Sequence, residues 1–257
     1  MSARPKKQFG QHFLHDRRYI DRIIGALKPR DGERIVEIGP GEGALTLPLL
    51  AQIGQLTAIE LDSDLIPALQ ARAASIGQLE IIQRDVLQTD LTALAAGAPL
   101  RVVGNLPYYI SSPIIFHCLD HAGAITDMHF MLQKEVVERM AAAPGSKIYG
   151  RLSVMLQLAC RVVPLFDVPP EAFRPPPKVN SAVVRLLPLA PAERPDVDAK
   201  KLDRVVKAAF GKRRKTLSNA LDGVLAADAI TAAGVDPRAR AETLAPMQFV
   251  DLARALA

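Results

Sequence analysis

Residues 34–44, Arg34-Ile35-Val36-Glu37-Ile38-Gly39-Pro40-Gly41-Glu42-Gly43-Ala44, decide the fold of this chain. An apolar run of strand length leads into a glycine-rich turn and then into a helix-like segment, residues 44–51. Glycine allows a backbone to approach a ligand closely, and the amino terminus of a helix offers unpaired N–H groups. Gly39, Gly41 and Ala44 also satisfy the dinucleotide fingerprint, and a tight turn without a ligand is a third interpretation.

Beyond this stretch, strand-like and helix-like segments alternate strictly. We predict strands over residues 34–38, 56–59, 79–82, 100–104 and 128–132, and helices over 62–74, 91–96, 114–119 and 134–142. A first helix precedes them, because Asp16 can cap a segment whose apolar residues recur at helical spacing up to Leu27. Residues 154–163 and 179–187 supply further strand material. The alternation predicts an α/β fold with a mainly parallel sheet of about seven strands, wrapped by helices.

The composition changes at residues 188–198, which are proline-rich and polar. Such stretches mark domain boundaries, so we place one domain over residues 1–188 and a second over residues 189–257. After the boundary the pattern is helical, over residues 200–210, 216–225, a short segment near Ala229, and 249–256. The second domain is therefore expected to be small and all-α.

Composition narrows the class of protein. The chain has 257 residues, 32 Lys and Arg against 27 Asp and Glu, and a formal net charge of +5, which is compatible with a polyanionic partner. Its two cysteines form no Cys-x-x-Cys pair, and His117 and His121 have no third ligand at a recognisable spacing, so we predict neither a disulfide framework nor a metal site. The sequence contains no leader-like segment and no run of about 18 apolar residues, which predicts a soluble cytoplasmic protein without a membrane contact.

Polar residues follow three further predicted strands, at the positions where an open α/β sheet binds its ligands. Glu60 lies about 20 residues after Gly39, where an acid accepts both hydroxyls of a ribose, and Asp85 follows the third strand, where a carboxylate can accept from an adenine amine. Asp62 has a helix cap as its alternative role. After the fourth strand, Asn105-Leu106-Pro107-Tyr108 supplies an acceptor, a rigid turn and a stacking surface, a set that suits a flipped base.

Five motifs, in order and almost end to end, make the sequence resemble S-adenosylmethionine-dependent rRNA adenine dimethyltransferases. They are Gln8-Phe9-Gly10-Gln11-His12-Phe13-Leu14, Glu37 to Thr46, Glu60, Asp85, and Asn105 to Tyr108. Within that family, Pro169-Pro170-x-x-Phe173-x-Pro175-Pro176-Pro177-Lys178-Val179 and Phe210-x-x-Arg213-Arg214-Lys215-Thr216-Leu217 resemble the bacterial small-subunit (16S) enzymes. The resemblance implies a Rossmann-like class I methyltransferase fold with S-adenosyl-L-methionine as the cofactor.

The resemblance also implies roles for individual residues. The implied cofactor-binding residues are Gln11, His12, Leu14, Gly39, Gly41, Glu60, Asp85 and Asn105, with residues 1–15 forming an arm over the cofactor. Position 12 departs from the family, which commonly has Asn there, although a histidine can also donate or accept a hydrogen bond.

The implied catalytic residues are Asn105, Leu106, Pro107, Tyr108 and Phe173. Asn105 and the carbonyl of Leu106 would accept from the target amine, and Tyr108 would stack on the extruded adenine. Phe173 would help enclose that base, and an ordinary core phenylalanine is its alternative interpretation. Ser181 lies in a strand-like run and is interpreted as structural.

Basic residues near the domain boundary point to RNA. The candidate RNA-binding residues are Lys207, Lys212, Arg213, Arg214, Lys215 and Arg151. Scattered lysines usually form a solvated helix face, but four consecutive basic residues favour contact with phosphate groups. The resemblance implies 16S rRNA, within a small ribosomal subunit or its precursor, as the partner, and we expect the protein to be a monomer.

Three functional hypotheses remain. The first, implied by the resemblance, is an enzyme that dimethylates two adjacent adenosines in a hairpin loop near the 3′ end of 16S rRNA, with a role in small-subunit biogenesis; a macrolide-resistance-type large-subunit rRNA methylase shares the core motifs. The second, a dinucleotide-dependent oxidoreductase, leaves Asn105 to Tyr108 and the arm unexplained. The third is a non-catalytic RNA-binding factor for ribosome assembly that has the same fold.

Overall fold

The computed structural model describes residues 11–212 and 214–256. Arg213 and residues 1–10, which form most of the predicted arm, lie outside the described residues. The chain divides into two compact units, Met1–Val137 with Val163–Pro188, and Glu138–Val162 with Leu189–Ala257. The second unit therefore contains residues 138–162, which the sequence placed in the first domain, in addition to the residues after 188.

Nine strands and eleven α-helices form the regular structure of the described residues. The strands are β1 (Phe13–Leu14), β2 (Arg34–Ile38), β3 (Gln55–Glu60), β4 (Gln78–Gln83), β5 (Leu100–Asn105), β6 (Ile125–Gln133), β7 (Cys160–Val168), β8 (Phe173–Arg174) and β9 (Ser181–Pro188). The helices are α1 (Arg17–Leu27), α2 (Thr46–Ile53), α3 (Ile66–Ala73), α4 (Leu91–Ala95), α5 (Ser111–Asp120), α6 (Lys134–Met140), α7 (Arg151–Gln157), α8 (Ala199–Gly211), α9 (Leu217–Ala220), α10 (Ala227–Ala232) and α11 (Pro246–Arg254).

Seven strands form one sheet in the order β4-β3-β2-β5-β6-β9-β7. The neighbours from β4 to β6 are parallel, whereas β9 runs antiparallel to β6. The mainly parallel, seven-stranded sheet is as predicted. Because parallel strands end at the same edge of a sheet, the carboxyl ends of β2, β3, β4 and β5 lie side by side.

Helix α1 illustrates how the sequence determines these elements. Asp16 caps it, as predicted, because the Asp16 carboxylate accepts a hydrogen bond from the N–H of Arg18 at 2.9 Å. The buried face of the helix consists of Ile20, Ile23, Ile24 and Leu27. Burial of each such side chain stabilises the fold by about 1.5–3 kcal/mol, so this face fixes α1 against the first unit.

Residues 151–157 depart from the predicted elements. The sequence predicted a strand over residues 154–163, but α7 occupies the first part of that range and β7 begins only at Cys160. The hydroxyl of Ser153 accepts from the N–H of Gly150 at 3.1 Å and donates to the carbonyl of Arg139 at 2.5 Å, which fixes the first turn of α7. The prediction was wrong because a short apolar run does not distinguish a buried helix from a buried strand.

The second unit is mainly helical and has a hydrophobic core of its own. Its core residues include Leu202, Val205, Val206 and Ala209 of α8 and Phe249, Val250 and Leu252 of α11. The Tyr149 hydroxyl donates to the Leu244 carbonyl at 2.9 Å within this unit. Among the residues that the structure describes, no helix is long and apolar enough to cross a membrane.

Candidate active site

A cavity opens at the carboxyl ends of the parallel strands. Of the residues predicted to bind the cofactor or the target base, those that line it are Gln11, His12, Leu14, Gly39, Gly41, Glu60, Asp85, Asn105, Leu106, Pro107 and Tyr108. The sheet order explains why residues so far apart in sequence meet, since β2, β3, β4 and β5 are neighbours. The sequence therefore located this cavity from the ends of its strands.

The turn after β2 has the backbone conformation that its glycines allow. Gly39 and Gly41 have φ angles of 68° and 56°, in the left-handed region that side chains with a Cβ rarely adopt. A Cβ at Gly41 would also lie only 3.2 Å from the ring of Phe13, so that glycine lets the segment around β1 approach the turn. At Gly39 and Gly41 the turn thus presents backbone without a side chain to the cavity.

Glu60 ends β3 with its carboxylate held by backbone groups. Its Oε2 accepts from the N–H of Gly41 at 3.2 Å and its Oε1 accepts from the N–H of Asp62 at 2.8 Å. Burial, with 7% of the residue exposed, raises the pKa of this carboxyl, and the two N–H groups act in the opposite direction. Each carboxylate oxygen has a second lone pair with which to accept from a ligand.

Asp85, which follows β4, is half-buried and caps a short 3₁₀ turn. Its Oδ1 accepts from the N–H of Leu87 at 3.0 Å. No other hydrogen bond to its carboxylate comes from the part of the chain that the structure describes. An acceptor oxygen of Asp85 is therefore available at the wall of the cavity.

Glu37 lines the cavity, although it was not among the site residues predicted from the sequence. It is 2% exposed, and its Oε2 accepts from the Thr46 hydroxyl at 2.6 Å. Burial, and to a lesser extent the charge of Glu60, raises the pKa of Glu37 to about 8. The signal was present in the sequence, because a carboxylate inside an otherwise apolar strand has to be explained.

Residues 11–14 cover one side of the cavity. Phe13 and Leu14 of β1 pair with Arg174 and Phe173 of β8 in an antiparallel ladder. The Gln11 side chain donates to Oδ2 of Asp62 at 3.0 Å. The Oδ1 of Asp62 accepts from the N–H of Asp64 at 3.2 Å in the turn before α3, whose amino-terminal cap position is Leu65, so Asp62 joins that turn to the covering segment and is not itself the cap.

Asn105 and Leu106 stand at the end of β5. The Nδ2 of Asn105 donates to the main-chain carbonyl of His12 at 2.9 Å, which leaves Oδ1 as the acceptor of this amide. The N–H of Leu106 donates to the Met131 carbonyl at 3.2 Å, so the backbone of this residue is fixed by the neighbouring strand. The site thus contains two oriented acceptors in consecutive residues.

Tyr108 is positioned by two contacts, one at its hydroxyl and one with its ring. The hydroxyl bonds to Oγ of Ser181 at 2.6 Å, and burial raises the pKa of the phenol. The imidazole of His12 lies nearly parallel to the Tyr108 ring, with 5.9 Å between ring centroids and 27° between planes. Ser181, interpreted from the sequence as structural only, therefore orients a cavity residue.

Phe173 does not line this cavity. The residue is 2% exposed and packs in the core that contains Leu14 and Val183. Pairing of β8 with β1 turns its side chain into that core, which agrees with the alternative interpretation of an ordinary core phenylalanine. Its part in the site is to hold the segment that carries Leu14.

The candidate RNA-binding residues lie in the second unit. Lys207, Lys212, Arg214 and Lys215 are exposed, and Arg213 lies outside the described residues. Arg151 forms an ion pair with Asp203 at 2.6 Å, so its charge is partly neutralised. Among the described residues, no group of three or more His, Cys, Asp and Glu could hold a metal ion.

Comparison of the sequence with known proteins gives a match along nearly its whole length. Residues 2–257 match the family described as Ribosomal RNA adenine dimethylase. The Ribosomal RNA small subunit methyltransferase A of Xanthomonas campestris pv. campestris (strain 8004) is 64% identical over 252 residues, which cover 98% of this chain and 96% of that protein. The protein of the same name from Xanthomonas axonopodis pv. citri is 62% identical with the same coverage.

Two solved structures resemble the fold over both units. A dimethyladenosine transferase from Plasmodium falciparum has a TM-score of 0.80 and 27% identity, covering 94% of this chain and 96% of that one. The 23S rRNA methyltransferase ErmE has a TM-score of 0.72 and 27% identity, covering 95% and 99%. These neighbours confirm the predicted class I methyltransferase fold.

Proposed function

The chain belongs to the ribosomal RNA adenine dimethylase family, and from this membership we propose that it dimethylates two adjacent adenosines in a hairpin loop near the 3′ end of 16S rRNA. It is an S-adenosylmethionine-dependent rRNA adenine methyltransferase. Family membership sets aside the oxidoreductase and the non-catalytic factor. A large-subunit substrate has less support, because identity is 27% to ErmE and 64% to the small-subunit relative.

The residues of the cavity fit S-adenosylmethionine. Glu60 would hold the ribose hydroxyls and Asp85 the adenine amine, because both carboxylates have acceptor capacity and both face the cavity. The backbone at Gly39 and Gly41 would lie under the methionine portion. Bound there, the cofactor supplies an electrophilic methyl group on a sulfonium.

Asn105 and Leu106 would make the target amine reactive. An adenine amine is a poor nucleophile because its lone pair is delocalised into the ring. Oδ1 of Asn105 and the carbonyl of Leu106 would hold its hydrogens out of the ring plane, which localises the lone pair and stabilises the positive charge that develops on nitrogen. The charged amine then loses a proton to water, and for the second transfer it rotates to present its remaining hydrogen.

Tyr108 would bind the extruded base by stacking, an interaction that contributes about 1–3 kcal/mol per base. Pro107 limits the backbone freedom of the turn that presents it. Within the site, the single observation that carries the proposed chemistry is the hydrogen bond from Asn105 to His12, because it orients the amide with its oxygen as the acceptor that an amine substrate requires.

Basic side chains of the second unit would hold the RNA through its phosphates, without reading sequence. Lys207, Lys212, Arg214 and Lys215 are exposed and suited to this, and we include Arg213 and Arg151. The partner would be 16S rRNA within a small ribosomal subunit or its precursor, and the enzyme would act as a monomer in the cytoplasm.

Radiolabelled methyl transfer to purified small subunits that lack the modification tests the proposal. We expect label in 16S rRNA and a primer-extension stop at two adjacent adenosines of the loop. Asn105→Ala should lower the rate at least about 100-fold while sparing RNA affinity, because it removes an acceptor used in the transition state. Asn180→Ala, at an exposed position outside the cavity, is the matched control. Label in large subunits offered in a parallel reaction, with none in the small subunits, would overturn the proposal.

A further inference from the structure

His12 makes three contacts, two of which are with proposed catalytic residues. Its main-chain carbonyl accepts from Nδ2 of Asn105 at 2.9 Å, and its imidazole lies beside the ring of Tyr108 at 5.9 Å. Its Nδ1 lies 2.7 Å from the carbonyl of Pro175. One residue of the covering segment thus touches both the acceptor and the stacking ring.

The contact with Pro175 fixes the orientation of the imidazole. A carbonyl oxygen only accepts hydrogen bonds, so Nδ1 of His12 donates to it. The ring is therefore held in one orientation, nearly parallel to Tyr108 at 27°. Pairing of Phe13 with Arg174 fixes the following residue, and the bond from Nδ1 to Pro175 holds His12 itself, so loss of the imidazole should free the His12 carbonyl to move.

We propose that His12 is a positioning residue for methyl transfer, in addition to covering the cofactor. Its main chain sets the amide of Asn105 with Oδ1 toward the substrate amine, and its ring limits the position of Tyr108. The consequence is that the acceptor for the adenine amine is correctly oriented only when the covering segment is docked. This inference rests on the proposed function, because it assigns His12 a part in presenting the same base.

The kinetic test compares three variants of the full-length enzyme at saturating S-adenosylmethionine and small subunits. His12→Ala should lower kcat about 10- to 100-fold, a larger factor than the rise that it causes in the cofactor Kd, measured by calorimetry. His12→Asn keeps an N–H close to the place of Nδ1 and should recover most of the loss. His12→Gln places its amide one carbon further out and should recover little.

A coupling test separates positioning from a general structural role. Asn105→Asp retains acceptor oxygens but has no N–H for the His12 carbonyl, so the link is already broken in that background. Adding His12→Ala to Asn105→Asp should therefore lower kcat by a smaller factor than His12→Ala does alone, and the remaining loss is that of the ring beside Tyr108. Losses that multiply in the double variant, or a higher cofactor Kd with unchanged kcat in His12→Ala, would overturn the proposal.

A spectroscopic test needs no RNA. The side-chain amide hydrogens of Asn105 should exchange slowly with solvent in the wild-type protein and fast in His12→Ala, as measured by NMR. Equal exchange in the two proteins would refute the positioning role. Absence of methyl transfer by the wild-type enzyme would instead count against the proposed function, so failure of one claim is distinguishable from failure of the other.

Discussion

The two edges of the sheet in the first unit both carry charged residues, but they use them in opposite ways. At the amino ends of the strands, the Arg101 guanidinium donates to Asp127 at 2.8 and 3.0 Å and to Glu33 at 2.8 Å. At the carboxyl ends, Glu37 and Glu60 form no ion pair with a described residue and accept only from N–H groups and one hydroxyl. The first edge is satisfied within the chain, whereas the second has acceptors left for a ligand.

This difference separates stability from function within one sheet. Removing one partner of a buried, hydrogen-bonded ion pair strongly destabilises a protein, because the other charge is left buried without a partner. Buried carboxylates without a cation lower the stability of the ligand-free protein and are retained where a ligand needs them. We therefore expect substitutions at the amino edge to affect unfolding, and substitutions at the carboxyl edge to affect binding and pH dependence.

The largest effect is expected at the amino edge. Arg101→Met should lower the free energy of unfolding by about 3 kcal/mol, because the buried Asp127 loses its two bonds to Arg101, although Arg185 stays within 2.8 Å of it. Urea denaturation followed by circular dichroism measures this. Arg17→Met removes an exposed ion pair with Asp21 and should change stability little. Equal effects of the two substitutions would contradict the assignment of Arg101 as a structural residue.

Glu37 should give the carboxyl edge a characteristic pH dependence. Because the pKa of Glu37 is raised to about 8 from its ordinary 4.5, the folded state binds more protons than the unfolded state between those values. The free energy of unfolding of the ligand-free protein should fall as pH rises through this range, by up to about 1.4 kcal/mol per unit. Glu37→Gln should remove this slope. Denaturation of the wild-type protein and the variant at pH 5, 6, 7 and 8 tests this, by comparing how the free energy of unfolding of each changes with pH.

Glu60→Gln should act on binding more than on folding. The amide has one acceptor oxygen in place of two, so affinity for S-adenosylmethionine should fall about tenfold or more. The loss of unfolding free energy should be smaller than in Arg101→Met. Calorimetric titration with the cofactor measures the first quantity. A variant that binds normally but unfolds easily would place Glu60 with the structural residues.

The smallest effect is expected at Tyr109, which lines the mouth of the cavity and is 63% exposed. Tyr109→Ala should raise KM for small subunits about threefold without changing cofactor affinity, because an exposed ring can stack on a flanking nucleotide. Tyr109→Phe retains the ring and should behave as the wild-type enzyme. An unchanged KM in the alanine variant would show that Tyr109 does not stack on the RNA and that Tyr108 does so without it.

Much of the fold was predictable because its signals are local. Alternating apolar strands and helical segments gave the parallel sheet, and the strand-end positions of Glu60, Asp85 and Asn105 gave the cavity. Residues 154–157 were predicted wrongly as strand, since an apolar run fits a buried helix as well as a strand.

The parts of the site that were not predictable depend on distant partners. The bond from Asn105 to His12 joins residues 93 positions apart, and the bond from Tyr108 to Ser181 joins residues 73 apart. Nothing near either residue in sequence indicates such a contact. Phe173 likewise gave no local sign that it would face the core, because pairing of β8 with β1 determines the direction of its side chain.

The pairing of β1 with β8 has a consequence for protein synthesis. His12 and Pro175 are 163 residues apart, so the ribosome makes the covering segment long before its partner. At typical elongation rates the delay is on the order of 10–30 s, and the loop to be closed is long. A nascent chain that ends before β8 can form the parallel strands and the glycine turn but lacks the strand that pairs with β1, so the cofactor site is completed only after about two-thirds of the chain has been made.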